Sequence, residues 1–291
     1  MSKAHVILNP AADRGHAGHR GRELREILKA LGFTTTVERT LKPGHGAELA
    51  RRAVQDGAPL VVAAGGDGTV NEVAQGVVGS DTALGVLPLG SGNDYIRILG
   101  IPKDLVGAAK VLARGRCCQV DVGLTGERYY LNSLGMGIDG QIARDYTENR
   151  WLKGEPGYYL AALLEIARFR AFRVEVTADT WTHSGRQLAV TVMNGPYAGG
   201  GFFLAPGAAV DDGQLDIALT GDYPRAVRLW VLPKTRDGSY LSLSRMRRER
   251  ARRITIKTDR PVPVHMDGEL LPRPVRELSV QLIPGGLTVV A

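Results

Sequence analysis

The sequence predicts an α/β domain built on a parallel sheet, followed by an all-β sandwich domain. Three observations carry this. Up to about Asp121, short continuously apolar runs alternate with segments of helical spacing. Beyond it, strand-like runs follow one another with little helix between them. The change falls near Val122, so the domains are read as residues 1–122 and 123–291. Apolar strands separated by helices belong to a parallel sheet covered on both faces, whereas successive strands without crossovers belong to an antiparallel sandwich or barrel.

The elements justify this in order. HVILN (His5 to Asn9) is a short apolar run that ends in a turn. Gly21 to Leu31 sets Leu24, Ile27, Leu28 and Leu31 on one helical face. Thr34 to Thr40 is β-branched and reads as a strand. GAELARRAV is helical, PLVVAAGG a buried strand, TVNEVAQGVV helical and ALGVLPLG a buried strand. In the second half RYYLNSLGM, FRVEVTAD, QLAVTVMNG, GQLDIALTG, RRITIKTD, RELSVQLI and GLTVVA read as strands. One helix interrupts them, Tyr158 to Phe169. It is apolar nearly all round and is expected to be buried or to face an apolar ligand.

Composition narrows the class. A chain of 291 residues, 44% hydrophobic and 23% charged, can bury a full core without disulfides or a structural metal. The two cysteines, adjacent at Cys117 and Cys118, exclude a disulfide framework and a four-cysteine zinc site, and they suit a reducing compartment. The N-terminal residues have no long apolar core of a secretory signal, and no apolar run is long enough to span a membrane. The expected location is therefore cytoplasmic. Net charge is +7, yet Arg225 to Lys257 holds eleven Lys/Arg against two acids, leaving the remainder slightly acidic. The densest part, Arg245 to Arg253, is either a solvated arginine-rich face or a patch for an anionic membrane surface. It lacks interleaved aromatics, and no helix-turn-helix or zinc-finger spacing is present, so no nucleic-acid partner is expected.

The strongest local motif is VVAAGGDGTVNE, Val61 to Glu72. A buried strand ends in Gly65-Gly66-Asp67-Gly68-Thr69 and a helix follows. Glycines let the backbone approach a phosphate, and a helix N-terminus offers it free N–H groups. Asp67 inside such a loop suits Mg²⁺ or a substrate hydroxyl. A second strand-end loop, Gly90-Ser91-Gly92, precedes Asn93-Asp94, and a third follows the first strand at Asn9-Pro10 and Asp13-Arg14-Gly15. Three such loops on one sheet point to one crevice. Carboxylates also occur in VHMDGEL (Asp267, Glu269) and PGAAVDDGQLDIAL (Asp211, Asp212, Asp216), where polar hairpin turns are the competing explanation. GMGIDG, Gly135 to Gly140, matches G-x-G-x-x-G but lies in an antiparallel context, which argues against a dinucleotide site. A Walker phosphate loop and a G-x-S-x-G elbow are absent.

Taken together, NPAADRG, GGDGTVNE, LPLGSGND, NSLGMGIDG, NGPYAGGGFFLAPGAAVDDGQLD and VHMDGE resemble, in this order, the diacylglycerol-kinase catalytic-domain family, in its soluble bacterial lipid kinase branch related to sphingosine and ceramide kinases. GGDGT alone is also shared with NAD kinases and is similar to phosphofructokinase loops; the downstream series is more specific. The resemblance implies a phosphofructokinase/NAD-kinase-like α/β domain, a C-terminal β-sandwich, and MgATP in a cleft between them. It implies nucleotide contacts at Asn9, Pro10, Ala11, Ala12, Asp13, Thr40, Gly65, Gly66, Asp67, Gly68, Thr69, Val70, Asn71, Glu72 and Ser91. It implies Glu269 as proton acceptor, and a structural Mg²⁺ on Asp212 and the carbonyls of Ala209 and Gln214. From the sequence, Asp67, Asp267 and Glu269 could exchange catalytic roles.

The expected reaction is transfer of the γ-phosphoryl of ATP to a lipid hydroxyl, diacylglycerol or a related glycerolipid, at a peripheral anionic membrane surface. The helix at Tyr158 to Phe169 would flank the acyl-chain entrance. The alternatives are a kinase of the same architecture acting on NAD or a sugar, and a catalytically silent lipid-binding protein.

Overall fold

The computed structural model describes residues 2–90, 92–149 and 154–291. It divides into two compact units, one comprising the residues up to Val122 together with Pro284–Ala291, the other Gly123–Ile283.

In the first unit β1 (Ser2–Leu8), β2 (Phe33–Arg39), β3 (Leu60–Gly65) and β4 (Ala83–Pro88) pair in the order β2-β1-β3-β4, all parallel. The strands β3 and β4 are buried at every position, which is why they read as unbroken apolar runs. Five helices follow in turn: α1 (Gly21–Ala30), α2 (His45–Gln55), α3 (Asp67–Val77), α4 (Asp94–Ile98) and α5 (Leu105–Arg114). On α1 the buried positions Leu24 and Leu28 confirm the spacing. Helices α2 and α3 close on each other through Gly76, where a Cβ would come within 2.6 Å of the Ala50 methyl. The strand order reverses between β1 and β3, so the loops after these two strands flank the switch point where open α/β sheets take ligands.

This sheet also draws on residues far along the chain. Val289 pairs in parallel with Leu84, the Gly79 N–H donates to the Gly286 carbonyl, and the Gly285 N–H donates to Asp121 Oδ1. Residues 284–291 therefore pack with the first unit, although the sequence pattern groups them with the preceding strands.

The strand β5 (Cys117–Thr125) leads into the second unit. The elements that follow are β6 (Arg128–Tyr130), β7 (Ser133–Gly137), α6 (Ile138–Glu148), α7 (Gly154–Arg168), β8 (Phe172–Ala178), β9 (Thr182–Met193), β10 (Tyr197–Ala198), β11 (Phe202–Phe203), β12 (Leu215–Gly221), α8 (Arg225–Val231), β13 (Met246–Ala251), β14 (Arg253–Val262), β15 (Val264–Met266), β16 (Glu269–Leu270) and β17 (Val275–Val290). The 12-residue β9 is the spine of this unit, pairing antiparallel with β8, β7 and β12. Along β8 burial alternates, with Phe172, Val174 and Val176 in the core and Arg173 and Glu175 outside.

Three local outcomes differ from the sequence pattern. RELSVQLI and GLTVVA form a single 16-residue strand, β17, that continues through Pro284. The arginine run is strand β13, paired with β12. Helix α7 is not enclosed: Leu160 and Leu164, one turn apart, are 40% and 43% exposed. The G-x-G-x-x-G match is explained by packing. A Cβ on Gly135 would lie 2.3 Å from His265 Nε2, one on Gly140 would lie 2.3 Å from the Pro263 carbonyl, and Gly137 has a φ of +105°.

Candidate functional site

In the first unit the three strand-end loops are tied together. The Asn9 N–H donates to the Ala64 carbonyl (3.0 Å), and Asn9 Nδ2 donates to Thr69 Oγ1 (3.0 Å). The loop after β1 is thereby held against the first turn of α3. The Leu89 N–H donates to the Gly65 carbonyl (2.8 Å), and a Cβ on Gly90 would stand 2.4 Å from Gly66 Cα. Two glycine backbones thus meet where any side chain would push the loops apart. A Cβ on Gly65 would fall 2.3 Å from Thr69 Oγ1. These contacts converge on the N-terminus of α3, whose first-turn N–H groups have no partner within the helix and attract an anion.

Asp67 opens that helix. Its Oδ1 accepts the Tyr95 N–H (3.1 Å), which ties α3 to α4. Asp67 makes no other hydrogen bond or ion pair among the described residues, so Oδ2 is left without a partner there. No group of three or more His, Cys, Asp or Glu side chains among the described residues could hold a metal ion. A cation at Asp67 would therefore complete its shell with substrate oxygens and water, as Mg²⁺ does beside phosphates. Asp67 fits that role.

The other nucleotide-contact expectations divide. Thr40 is buried, and its N–H donates to the Leu8 carbonyl (2.9 Å). Pro10, Ala11, Ala12 and Asp13 form the loop after β1, where the Ala11 N–H donates to Asn9 Oδ1 (3.0 Å) and Asp13 adopts a φ of +50°. Val70 and Asn71 are buried. Glu72 turns toward α2, accepting the N–H groups of Gly44 (2.9 Å) and Gly46 (3.0 Å). It caps that helix. Ser91 lies outside the described residues.

In the second unit the D-G-E segment is a two-residue hairpin between β15 and β16, with Met266 opposite Glu269. Asp267 and Gly268 have φ of +47° and +85°, the left-handed pair that makes Asp-Gly favourable in such turns. Asp267 does more than turn the chain. Its Oδ1 accepts the N–H groups of Asn132 (3.0 Å) and Ser133 (2.8 Å), and its Oδ2 accepts that of Leu131 (2.7 Å). Glu269 is half-exposed, with Oε2 2.7 Å from Arg128 Nη2. Of these two acids, Asp267 is committed to the backbone, whereas Glu269 reaches solvent.

The Asp211–Asp216 segment is bound to the arginine strand. Asp216 is buried and accepts from Arg248 Nε (2.8 Å) and Arg250 Nε (3.3 Å). Asp212 Oδ1 accepts the Gln214 N–H (3.0 Å), and Asp212 Oδ2 lies 3.5 Å from Arg250 Nη1. A guanidinium therefore stands at the acid expected to hold a structural cation with the carbonyls of Ala209 and Gln214. Arg245 donates to the Asp222 carbonyl, Arg247 pairs with Glu249 (2.8 Å), and Arg252 donates to the Gly213 carbonyl (2.9 Å). Much of the basic run therefore holds loops and strands together.

The second unit also holds a half-open cavity of about 110 Å³ lined chiefly by Ile138, Ile142, Ile166, Leu188, Val231 and Leu232. Asp139, in the first turn of α6, faces it, and Asp139 Oδ2 accepts from Thr191 Oγ1 (2.7 Å). Burial pushes this carboxyl above the usual carboxylate range, while the Thr191 bond opposes the shift. Sequence reasoning misses Asp139 because it lies inside the G-x-G-x-x-G match. The usable signal is an acid between Ile138 and Ile142, on the buried face of a helix. Arg128 is also missed, since nothing local marks it as the partner of a residue far along the chain.

The family profile described as diacylglycerol kinase catalytic domain matches residues 3–125, and that described as YegS C-terminal NAD kinase beta sandwich-like domain matches residues 132–291. A diacylglycerol kinase of Bacillus subtilis (strain 168) is 27% identical over 273 residues, covering 92% of this chain and 90% of its own. A probable lipid kinase YegS-like protein of Chromohalobacter salexigens is 30% identical over 285 residues, covering 92% of this chain and 88% of its own. The crystal structure of a diacylglycerol kinase from Bacillus anthracis str. Sterne matches with a TM-score of 0.76 at 25% identity, over 99% of this chain and 96% of that one.

Proposed function

Because this chain belongs to the diacylglycerol kinase catalytic-domain family, and is a kinase of the lipid kinase type, we propose that it transfers the γ-phosphoryl group of ATP, with Mg²⁺, to the hydroxyl of diacylglycerol or a related glycerolipid. The observation that carries this reading is the junction of the glycine loops at the start of α3, with an open carboxylate oxygen on Asp67 beside it.

Phosphoryl transfer asks little covalent chemistry of a protein; it needs positioning, charge neutralisation and a proton acceptor. The first-turn N–H groups of α3 hold phosphate oxygens, and Asn9 fixes their direction by anchoring Thr69. Asp67 would hold the cation, its carboxylate oriented by the Tyr95 N–H. Mg²⁺, when bound there with the nucleotide, neutralises charge on the phosphates. Glu269 takes the proton of the acceptor hydroxyl. Asp267 positions the hairpin that carries it.

The same reading places the enzyme on an anionic membrane surface through α7 and α8, which pack together. Leu160, Leu164, Leu229 and Trp230 are exposed there, and Lys234 Nζ stands 4.3 Å from the Trp230 ring centroid. Apolar side chains beside a cation suit the interface of a bilayer better than paired arginines do. No helix among the described residues is long and apolar enough to cross a membrane.

The test is transfer of labelled γ-phosphate from ATP into a panel of lipid vesicles, with Asp67→Ala as control. Label in lipid, lost in the control, supports the reading. Label only in a soluble acceptor such as NAD or a sugar, or nucleotide binding without any transfer, overturns it.

A further inference from the structure

Arg128 and Glu269 meet across two hairpins of the second unit. Arg128 opens β6, opposite Thr125 in the turn from β5, and its Nη2 lies 2.7 Å from Glu269 Oε2. The two backbones are fixed to each other. Asp267, two residues before Glu269, accepts the N–H groups of Leu131, Asn132 and Ser133, the residues that follow β6. The two side chains are looser: each is 37% exposed, and an ion pair open to water is held weakly. Arg128 makes no other hydrogen bond or ion pair among the described residues, so Nε and Nη1 are unengaged there. A guanidinium with donors to spare suits the oxygens of a phosphate.

Phosphoryl transfer would change the charge on this pair. The O–H bond of the acceptor hydroxyl breaks and its proton goes to the Glu269 carboxylate. The hydroxyl oxygen bonds to the γ-phosphorus of ATP, and the bond to the bridging oxygen breaks to release ADP. Glu269 is then neutral, and Arg128 has lost its counter-charge. At the same moment a phosphate monoester, with a charge of about −1.5 to −2, stands on the oxygen that Glu269 has deprotonated. A base acts within about 3 Å of the group whose proton it takes. The new phosphate therefore forms within a side-chain rotation of the Arg128 guanidinium.

We propose that Arg128 is a catalytic residue that changes partners: it pairs with Glu269 before transfer and holds the transferred phosphoryl group after it. This rests on the lipid kinase reading, with Glu269 as proton acceptor, and deepens it. When Glu269 gives its proton to water, the ion pair reforms and the lipid phosphate is let go. Product release is thereby tied to the return of Glu269 to its charged form.

The experiment measures product binding and turnover on the full chain. Binding of dihexanoyl phosphatidate, a short-chain product, is followed by calorimetry below its micelle concentration, with dihexanoylglycerol as the uncharged control. Glu269→Gln imitates the protonated carboxyl and frees Arg128, so it should bind the phosphatidate about 10-fold more tightly than the wild type, with dihexanoylglycerol unchanged. Adding Arg128→Leu to Glu269→Gln should abolish that gain, and adding Arg128→Lys should keep part of it. Alone, Arg128→Leu should lower kcat on dioleoylglycerol in mixed micelles roughly 10- to 100-fold at unchanged KM, because its contact with phosphate is made only as transfer proceeds. If Arg128→Leu does not fold, the polar Arg128→Gln takes its place. Equal or undetectable phosphatidate binding in the wild type and Glu269→Gln would overturn this inference. So would a gain that persists in the double variant, which the lost carboxylate charge alone then explains, or a wild-type kcat in Arg128→Leu. In each of these cases transfer to dioleoylglycerol by the wild type leaves the lipid kinase reading standing. Transfer to no lipid of the wider vesicle panel would overturn that reading and this inference with it.

Discussion

Ser133 and Asp267 are joined by a reciprocal pair of hydrogen bonds: the Ser133 N–H donates to Asp267 Oδ1 at 2.8 Å, and the Asp267 N–H donates to the Ser133 carbonyl at 2.8 Å. The hairpin that carries Glu269 is therefore clamped to the first residue of β7. Removing the Asp267 carboxylate would strip three backbone N–H groups of their acceptor. Asp267→Ala is expected to lower unfolding stability by roughly 3 kcal/mol or more, read from urea denaturation. Glu269→Ala removes a half-exposed carboxylate that pairs with Arg128, and should change stability by less than about 1 kcal/mol. Equal losses in the two variants would remove the distinction between the two acids.

Glu269→Gln and Asp67→Asn test the chemical roles. Loss of a general base costs about 10²- to 10⁴-fold in turnover, so Glu269→Gln should fall in that range with ATP affinity intact. Asp67→Asn retains Oδ1 for the Tyr95 N–H. It should stay folded yet lose the Mg²⁺ dependence of nucleotide binding, followed by calorimetry with and without the cation. A variant that binds nucleotide with wild-type metal dependence would exclude Asp67 as the cation ligand.

Gly90→Ala addresses the meeting of the loops. The new methyl would fall 2.4 Å from Gly66 Cα, a backbone atom that cannot rotate away. The expected result is a loss of about 1–3 kcal/mol together with weakened ATP binding. Gly79→Ala is a useful contrast: it is strained by a positive φ, but no atom lies within 4 Å of the added Cβ, so ATP binding should hold.

His265 supplies a pH signature. Burial pushes its imidazole from 6.5 down to about 4, and its Nδ1 has no partner among the described residues. The unfolded chain takes up the proton first as pH falls, so its contribution is full above about pH 6.5 and is lost as pH falls toward 4. The wild type should lose about 2–3 kcal/mol between pH 7 and 4.5 that His265→Leu does not. Parallel denaturation midpoints for the two proteins across that range would refute it.

Membrane docking is tested by exchanging polarity at α8. Trp230→Asp, on a side chain already 57% exposed, should leave stability unchanged and weaken binding to anionic vesicles by about 10-fold or more. Arg252→Ala should weaken it little, because that guanidinium is engaged with the Gly213 carbonyl. The reverse order of effects would return the docking role to the arginine strand.

Much of the first unit was legible in the sequence because its signals are local. The continuous apolarity of β3 and β4, and Leu24 and Leu28 on α1, each state their own burial. The glycine loops were legible for the same reason, since a strand end followed by Gly-Gly-Asp-Gly describes its geometry within a few residues. What stayed hidden depends on distant partners. RMRRER reads as a solvated face or a membrane patch, yet it lies in β13, where Asp216 receives Arg248 and Arg247 stands over the Trp181 ring. Glu72 resembles a ligand contact in sequence and caps α2 in space. Asp267 and Glu269 are two residues apart, and only their bonds to Ser133 and Arg128 separate the clamp from the acid.

The return of residues 284–291 to the first sheet has a consequence for biogenesis. Synthesis delivers the residues through Val122 long before Val289 exists to pair with Leu84. The nascent first unit must therefore wait, with the flank of β4 unsealed, until residues 284–291 have left the ribosome. Unpaired strand edges on such intermediates invite misassembly, so this protein should depend on chaperones, or on slow expression at low temperature, more than its size suggests. A chain truncated before Pro284 should aggregate, although every residue of its glycine loops is still present.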